Sequence, residues 1–437
     1  MGNGRRNHGQ SRRKLMIILI IYILIFIAAF YAVKVVSSMR TSRKDYTSLK
    51  TVTFGDESAV SPNRAASIIS VFSIFLIWAA FTGSKLIPFH VPGPFIGELG
   101  FSYTAMNSLG ETDDAEVTII IYDVQTGEIP DKLDIEPGTG FAINDTYQIV
   151  AWRSALVKVK RNDVGGKDSD YKVIAINDQE ISPNNELFID DARIYMTAKG
   201  TLSVTPSKGW QMQPVWLPAP ETVWSRLIKV SSEGYKNFSL FEHLGWSLLR
   251  VVVGFTAGAL IGIPLGYAMG LSGWFRGWFD PIVEFMRPVP PLALIPLVII
   301  WFGIGEQGKI ILLFLASLWI MTISARAGVS GVKIAKIHAA YSLGASKWQI
   351  MRLVIVPNSL PEIFTGARVS MGVCWGTVVA AELVAAQKGA GMMIISASKF
   401  QMTDLVIMGI VLIGVIGYAI DILMRISENY LVPWKGK

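Results

Sequence analysis

The sequence predicts an all-α polytopic membrane protein into which a separate β-rich domain is inserted. Three observations predict this fold class. Of the 437 residues, 51% are hydrophobic and only 17% are charged, a composition more apolar than that of ordinary soluble domains. Uncharged stretches long enough to cross a hydrocarbon core of about 30 Å recur along the chain. Between two of them, residues 98–191 carry 19 acidic and 7 basic side chains, a net charge of −12 against +7 for the whole chain.

The apolar stretches define seven candidate spans. They are residues 15–33, 65–84, 251–275, 288–305, 310–325, 359–386 and 405–420. The first span has a basic flank like a secretory signal, but it lacks a small-residue cleavage site and is followed by Lys34, so we expect a retained anchor. The single cysteine, Cys374, lies in an apolar span and is expected to be a small buried side chain.

The acidic segment is expected to be a solvated β-sheet domain, because its apolar runs are short and are separated by turn residues. Strands are predicted at 116–124, 147–159, 171–176 and 187–196, with turns at Thr139-Gly140 and Gly165-Gly166. The chain then divides into four regions. They are a basic N-terminal region with an extra span (1–64), a first core helix (65–92), the inserted domain (93–216) and a helical core with five spans (217–437).

Orientation follows from the basic residues in short loops, which stay in the cytoplasm. Residues 326–361 contain five basic side chains and no acidic one: Arg326, Lys333, Lys336, Lys347 and Arg352. Counting spans from this loop places the acidic domain outside and the C-terminus, with Lys435 and Lys437, inside. The same count places the N-terminus outside, although its five basic residues (Arg5, Arg6, Arg12, Arg13 and Lys14) favour the cytoplasm. The six basic residues of the following linker (Lys34, Arg40, Arg43, Lys44, Lys50 and Arg64) favour this topology only weakly. The alternative is that the first apolar segment lies along the inner membrane surface.

The cytoplasmic loop has the pattern of two short helices separated by a turn. Gly344 is expected to end the first, since glycine readily takes the left-handed conformation after a helix. Ser346 and Gln349 form a capping box that begins the second. Pro357 is expected to end the second helix, and Ser359 to cap the next membrane helix.

At these residues the loop resembles the EAA loop of ABC importer permeases, which reads Glu-Ala-Ala, three residues, Gly, nine residues and Ile-x-Leu-Pro. The matching residues are His338-Ala339-Ala340, Gly344 and Val354-Ile355-Val356-Pro357. The resemblance implies that the loop at 333–358 docks into an ATP-hydrolysing subunit. It assigns the coupling site to His338, Ala339, Ala340, Gly344, Ala345, Ser346 and Pro357. His338 replaces the family's Glu, so a salt bridge from this position is in doubt.

From about residue 217 to 432 the chain resembles the permeases of the taurine, aliphatic sulfonate and nitrate group. The matching segments are Arg287-Pro288-Val289-Pro290-Pro291-Leu292-Ala293, Trp301-Phe302-Gly303-Ile304-Gly305 and Ala380-Ala381-Glu382. Residues 65–92 resemble the family's first helix, which makes the acidic domain an insertion and the N-terminal span an addition.

The resemblance also implies a type I-like core of six helices in a multi-pass protein of the bacterial inner membrane. The expected partners are a second permease copy in a homodimer, ABC ATPase subunits and an extracytoplasmic solute-binding protein. No catalytic residue, metal or cofactor is expected on this chain, because ATP and Mg²⁺ belong to the ATPase. The solute would be a small anion such as a sulfonate, taurine or nitrate.

Glycines recur at every fourth position of the 251–275 span: Gly254, Gly258, Gly262, Gly266 and Gly270. Glycines at this spacing allow close helix approach, here either within one subunit or across a dimer. Prolines at the start of the 288–305 span free backbone groups, so this segment is expected to be covered by protein or to line a wet cavity.

The charged residues inside spans, Arg368 and Glu382, are functional candidates. With Arg287, Pro290 and Pro291 at the start of the 288–305 span, they make up the pathway candidates. Arg368 and Glu382 are too far apart to pair, about 21 Å along one helix. Glu382 is expected either to act in the pathway or at a gate, or to bond a neighbouring helix at the outer interface. Glu284 and Arg287 are expected to form a local pair.

Residues 303–309 fit Gly-x-Gly-x-x-Gly and most of a Walker A pattern, but position 310 is Ile and no strand precedes them, so we expect no phosphate site there. Two alternatives remain. A membrane-anchored sensor would need a cytoplasmic output domain, which we do not expect after Val432, and an ion-coupled carrier would not bind an ATPase subunit.

Overall fold

The computed structural model describes residues 16–32, 35, 64–123, 130–131, 133, 135–138, 140–161, 163–164, 171–189 and 191–434. The predicted turns at Thr139 and Gly165-Gly166, the basic residues before position 15, most of the linker after the first span, and Lys435 and Lys437 lie outside the described residues. The chain divides into two compact units, Met1–Glu221 and Thr222–Lys437.

The first unit begins with two apolar helices, α1 (Met16–Ala32) and α2 (Arg64–Phe81). The Tyr22 hydroxyl, in the first half of α1, donates to the carbonyl of Phe89, at 3.3 Å. Ile17, Ile18 and Ile21 line a cavity together with residues 89–93. Because residues 89–93 follow the C-terminal end of α2, the beginning of α1 lies on the same side as the end of α2.

Among the described residues of the first unit, nine strands form two sheets. The strands are β1 (Gly97–Met106), β2 (Thr112–Tyr122), β3 (Asp145–Val150), β4 (Ala155–Val157), β5 (Lys172–Ile176), β6 (Gln179–Glu180), β7 (Glu186–Ile189), β8 (Ala192–Met196) and β9 (Leu202–Pro206). One sheet has the order β3-β2-β1-β5-β6 and the other β4-β9-β8-β7. Alternate residues of the long strands are buried, as expected for sheets with one face on a core. Tyr103, Val117 and Ile194 are among the fully buried side chains.

Two predicted strands are each divided in two. The 147–159 run is β3 and β4, which belong to different sheets, and the chain reverses between them at Trp152, where φ is +76°. The 187–196 run is the hairpin of β7 and β8, in which Ile189 pairs with Ala192. The prediction also missed β1, the central strand of its sheet.

The chain enters and leaves the two-sheet domain at adjacent points. The Phe95 N–H donates to the Ser207 carbonyl at 2.9 Å, and the Trp210 N–H donates to the Pro92 carbonyl at 2.7 Å. We call these paired segments, residues 92–95 and 207–213, the neck. The neck leads back to the end of α2, where the Met212 N–H donates to the Phe81 carbonyl at 2.8 Å.

The second unit is helical. Its α-helices, following α3 (Pro220–Glu233), are α4 (Leu240–Leu271), α5 (Gly273–Met286), α6 (Ile295–Phe302), α7 (Glu306–Ser330), α8 (Ile334–Ser342), α9 (Lys347–Ile350), α10 (Val356–Ala385), α11 (Ala390–Lys399) and α12 (Thr403–Leu431). A 3₁₀ turn at Pro291–Leu294 precedes α6. By length and apolar composition, four described helical segments could cross a membrane, and a bent pair adds a fifth.

The glycine stripe of α4 packs against α7 inside one chain. A Cβ added at Gly254 would overlap Leu313 Cβ, one at Gly258 would lie 2.6 Å from Ser317 Cβ, and one at Gly266 would lie 2.6 Å from Ala325 Cβ. The α7 partners advance in step with the glycines, so the two helices are parallel. The sequence left the partner of this stripe open, and the structure assigns it to α7.

Because α4 and α7 are parallel, the chain between them must return to the end where α4 began. It does so through α5 and the segment Pro291–Phe302, which are bent by 92° relative to each other. The predicted span at 288–305 is therefore only the second half of a broken span. The 251–275 prediction likewise placed the end of α4 four residues too late, since the helix stops at Leu271 and α5 begins at Gly273.

The next two long helices alternate in direction. Ser370 of α10 donates to Ser317 of α7 at 3.0 Å, whereas Ser359, near the start of α10, lies against Gly328, near the end of α7. Hence α10 is antiparallel to α7. In turn α12 is antiparallel to α10. We refer to the two ends of this bundle as the Glu306 end and the Ser330 end.

Candidate functional site

The predicted coupling loop is a helical hairpin at the Ser330 end. Its first helix, α8, ends at Ser342, and Gly344 has φ of +79°. The Ala345 N–H donates to the Ala340 carbonyl at 3.0 Å, and the Gly344 N–H donates to the Tyr341 carbonyl at 2.9 Å. This is the Schellman arrangement, which needs a left-handed residue at the position of Gly344.

The second half of the hairpin begins with the predicted capping box. Gln349 Oε1 accepts from the Ser346 N–H at 2.7 Å, and Ser346 Oγ accepts from the Gln349 N–H at 3.4 Å. These contacts satisfy donors that would otherwise be unpaired at the start of α9.

The prediction that Pro357 ends this helix is wrong. Residues Met351–Ile355 form a π-helical segment, and Pro357 lies in the first turn of α10, where its missing N–H is tolerated. Two side chains donate to carbonyl groups close to this turn: Asn358 Nδ2 to that of Val354 at 2.7 Å, and Trp434 Nε1 to that of Pro357 at 3.0 Å. The Pro357 carbonyl has no helical N–H donor, because residue 361 is also a proline. Ser359 does not begin a new helix, and its hydroxyl donates to the Val356 carbonyl. The apolar helical segment Lys347–Leu383 is therefore continuous over 37 residues.

The hairpin has an inner and an outer face. Ala340 and Ala345 are half-buried and pack against the cluster of Val329, Ile350 and Ile355. The outer residues of the predicted coupling site are His338, Ala339, Gly344 and Ser346, all of which are exposed.

Sequence reasoning missed the most prominent side chains of the outer face. Leu343 is 88% exposed and Trp348 is 72% exposed, one on each side of Gly344. Large apolar side chains so exposed at a helix turn are typical of an interaction surface. In the sequence, their positions close to Gly344, the glycine that matches the EAA loop, could have identified them as part of the interaction surface.

An ion-pair cluster joins α4, α7 and α10 at the Glu306 end, in which Arg250, Lys309 and Glu382 are buried and Glu306 is 45% exposed. Arg250 of α4 is only 1% exposed. Its Nε and Nη2 donate to the two carboxylate oxygens of Glu306, at 2.6 and 2.8 Å. Its Nη1 donates to Glu382 Oε1 at 2.6 Å. Lys309 Nζ lies 3.0 Å from Glu306 Oε1. Two cations thus face two carboxylates, which neutralises the buried charge.

Glu382 also holds the loop that leads into α11. Three successive backbone N–H groups donate to side chains of α4 and α10: Gly389 to His243 Nδ1 at 3.1 Å, Ala390 to Ser247 Oγ at 2.9 Å and Gly391 to Glu382 Oε2 at 2.9 Å. Ser247 Oγ in turn donates to Glu382 Oε1 at 2.7 Å. Glu382 therefore caps the N-terminus of α11 from a neighbouring helix, where a carboxylate is favourable.

Sequence reasoning missed Arg250 because it lies just before the uncharged 251–275 stretch. A signal was present, since His243, Ser247 and Arg250 continue the α4 glycine stripe toward the helix start at helical spacing. The stripe that packs on α7 thus ends in the residues that contact the α11 loop.

The other pathway candidates lie apart from this cluster. Arg368 contacts α12, where its guanidinium pairs with Glu428 and lies 3.6 Å from Asp421. Arg287 lies 3.8 Å from Glu284, whose closer partner is Arg326 of α7, at 3.0 Å.

Pro290 and Pro291 lie at the bend between α5 and α6, and Pro291 opens the 3₁₀ turn. Residues 303–305 connect α6 to α7, a helix-to-helix setting unlike a phosphate-binding loop, and Lys309 is engaged by Glu306.

This parallel helix pair, the broken span and the further long apolar helices are those of a polytopic helical membrane protein. Residues 258–431 match the family model described as "Binding-protein-dependent transport system inner membrane component". The taurine transport system permease protein TauC of Escherichia coli K12 is 45% identical over 245 residues, covering 54% of this chain and 89% of that protein.

Two further relatives align less closely. The putative aliphatic sulfonates transport permease protein SsuC of Escherichia coli K12 is 35% identical and covers 52% of this chain and 85% of its own length. The nitrate import permease protein NrtB of Synechocystis is 31% identical and covers 44% and 70%. The chain belongs to the family of inner-membrane permease components of binding-protein-dependent ABC importers.

Proposed function

We propose that the chain is the permease subunit of an ATP-driven importer for a small sulfonate, with taurine as the first solute to test. The proposed solute class rests on sequence identity. The chain is 45% identical to a taurine permease, compared with 35% for an aliphatic sulfonates permease and 31% for a nitrate permease. The hairpin supplies the means of coupling, since it presents Leu343 and Trp348 to a partner beside a rigid turn. ATP and Mg²⁺ would be held by a separate ATPase subunit, which docks on that hairpin.

The solute pathway would form between two copies of this chain. One face of α10 is exposed along its length and carries small or short side chains at Thr365, Gly372 and Gly376. A Cβ added at either glycine would meet nothing within 4 Å in the chain. Without a hydrophobic drive in lipid, faces of this kind favour helix association. We assign this face to the second copy in a homodimer.

The two-sheet domain would lie outside the cell, where an acidic domain inserted between two spans crosses the membrane regardless of its charge. A solute-binding protein would dock on that side, with the domain as platform or lid. The position of α1 supports an extra span with its N-terminus outside, because its first turns lie beside residues that follow α2. Labelling a cysteine at position 3, in a Cys374→Ser background, with a membrane-impermeant maleimide tests this. Labelling only after permeabilisation would reverse the orientation of α1.

The full chain, coexpressed with the ATPase and binding-protein genes of its operon, tests the proposal. We expect the ATPase subunit to co-purify and proteoliposomes to accumulate radiolabelled taurine only with ATP and binding protein. Uptake driven by an ion gradient without ATP would instead identify an ion-coupled carrier. Absence of both the ATPase and transport would favour a sensor. Nitrate uptake in place of taurine would correct the solute alone.

A further inference from the structure

One helical segment links the coupling hairpin, residues 333–358, to the ion-pair cluster around Glu382. Lys347–Leu383 runs from the capping box of the coupling hairpin to Glu382 without a break in its helical path. At 1.5 Å per residue such a segment is about 55 Å long. This segment therefore connects the hairpin directly to Glu382 at the opposite end of the bundle.

At Glu382 this helix is bonded to three other elements at once. Arg250 connects it to α4 and, through Glu306, to α7, while the Gly391 N–H connects it to α11. We call this set of contacts, made by Ser247, Arg250, Glu306, Glu382 and the backbone of residues 388–391, the clasp. The Arg250 Nη1 also donates to the Lys388 carbonyl at 3.0 Å, so the loop is held from both sides.

Opening the clasp is strongly unfavourable. The side chains of Arg250 and Glu382 are 1% and 0% exposed, and parting them would leave the Glu382 carboxylate without its cation in a medium of low dielectric, whereas Arg250 would keep its two hydrogen bonds to Glu306. The Gly391 N–H at the start of α11 would lose its acceptor if Glu382 moved away. A contact of this kind suits a permanent joint better than a gate that opens in every cycle.

We infer that Glu382 is a positioning residue of the transport cycle. This inference rests on the proposed function. The clasp stays closed and makes α4, α10 and α11 move together, so that movement of the coupling hairpin reaches the Glu306 end. Glu382 touches no solute in this account. Its role is to convert ATP hydrolysis into a change of the pathway entrance.

Glu382→Gln tests this inference, because the amide keeps the size of the side chain but loses the charge that holds Arg250. The measurement is taurine transported per ATP hydrolysed by the reconstituted complex. We expect hydrolysis to continue while this ratio falls by about tenfold or more, as loss of a charge-assisted hydrogen bond implies. A merely structural role would lower uptake and hydrolysis together and leave the ratio unchanged. Ser247→Ala should lower the ratio of taurine transported to ATP hydrolysed by a smaller factor. This variant tests the inference if Glu382→Gln does not assemble.

Glu233→Gln is the matched control, since Glu233 is an exposed carboxylate of α3 whose ion-pair partner is Lys229 of the same helix. Its ratio should equal that of the wild type. An unchanged ratio in Glu382→Gln would overturn the inference, and so would a leak of taurine through Glu382→Gln without ATP, which is the behaviour of a weakened gate. Failure of the wild-type complex to transport taurine with ATP would instead count against the proposed function.

Discussion

Single residues fix how closely the helices of this permease approach one another. At Gly258 the α4 backbone lies against α7 so closely that an added Cβ would be 2.6 Å from Ser317 Cβ and 2.8 Å from the Phe314 carbonyl oxygen. A side chain cannot be accommodated at these distances without separating the helices.

Gly258→Ala should therefore destabilise the purified protein by about 1–3 kcal/mol, through overpacking at the α4–α7 contact. Thermal unfolding in detergent measures this as a lower melting temperature. Gly277→Ala is the control, because a Cβ at Gly277 meets nothing within 4 Å and alanine favours a helix. A Gly258→Ala protein as stable as Gly277→Ala would contradict the packing described for α4.

Glu221 illustrates a single carboxylate that joins two elements of the first unit. The Ser84 hydroxyl donates to Oε2 at 2.6 Å, and the Lys85 N–H donates to Oε1 at 2.9 Å. Burial alone would raise the pKa of Glu221, but these hydrogen bonds outweigh it and the pKa is lowered overall. Because the folded pKa lies below the unfolded one, the stabilisation is present above about pH 4.3 and is lost as pH falls through the folded value.

Glu221→Gln should consequently lower the melting temperature at pH 7, where the wild type has the charged acceptor, and the difference should shrink toward pH 4. Thermal unfolding of both proteins across this range checks the sign. Glu98→Gln, at an exposed carboxylate of β1, should leave the melting temperature unchanged at both pH values. A difference that is constant with pH would show that the charge of Glu221 is not involved.

At the scale of elements, the coupling hairpin is defined by its turn and by the apolar side chains around it. Leu343→Asn removes the most exposed apolar side chain there without touching the buried cluster of Val329, Ile350 and Ile355. We expect co-purification of the ATPase subunit to fall markedly while the melting temperature of the permease stays within about 2 °C, since surface substitutions rarely exceed 0.5 kcal/mol. Phe400→Asn, equally apolar and 69% exposed after α11, should leave ATPase binding intact.

Patterns that depend on local spacing were predictable from the sequence. The capping box, the left-handed Gly344 and the glycine stripe follow from residue types at fixed intervals. Features set by distant partners were not. One example is the continuation of α10 through Pro361, where the Pro357 carbonyl lacks a helical N–H donor and accepts instead from Trp434, 77 residues away in sequence.

The same distinction explains the rest of the fold. The division of residues 147–159 between two sheets depends on which strands they pair with, and the cluster around Arg250 depends on α7 and α10 meeting α4. Each involves residues far apart in sequence, so that neither periodicity nor composition contains the information.

At the scale of the whole molecule, the two-sheet domain is attached through a neck whose two segments are hydrogen-bonded to each other. This geometry predicts that the domain can be removed without separating the ends that it connects. Replacing residues 96–206 by a Gly-Gly link keeps Phe95 next to Ser207. In the intact chain the Phe95 nitrogen and the Ser207 carbonyl oxygen are 2.9 Å apart.

The shortened protein should reach the membrane and bind the ATPase subunit as the full chain does. Uptake stimulated by the binding protein should decrease, because the domain that we propose as its docking platform has been removed. Membrane fractionation and proteoliposome uptake measure the two properties separately. Normal stimulated uptake would indicate that the domain is only a spacer. Loss of membrane insertion would contradict the prediction that the domain can be removed at the neck.

In the proposed function, the turn at Gly344 transmits movement from an ATPase subunit to the membrane helices. ATP-driven taurine uptake by Gly344→Val, compared with Gly344→Asn, tests this most directly. Valine is strained at a φ of +79°, whereas asparagine tolerates the left-handed region. We predict that the Asn variant transports and that the Val variant loses ATP-driven uptake while remaining in the membrane. Uptake by the Val variant equal to that of the wild type would contradict the account.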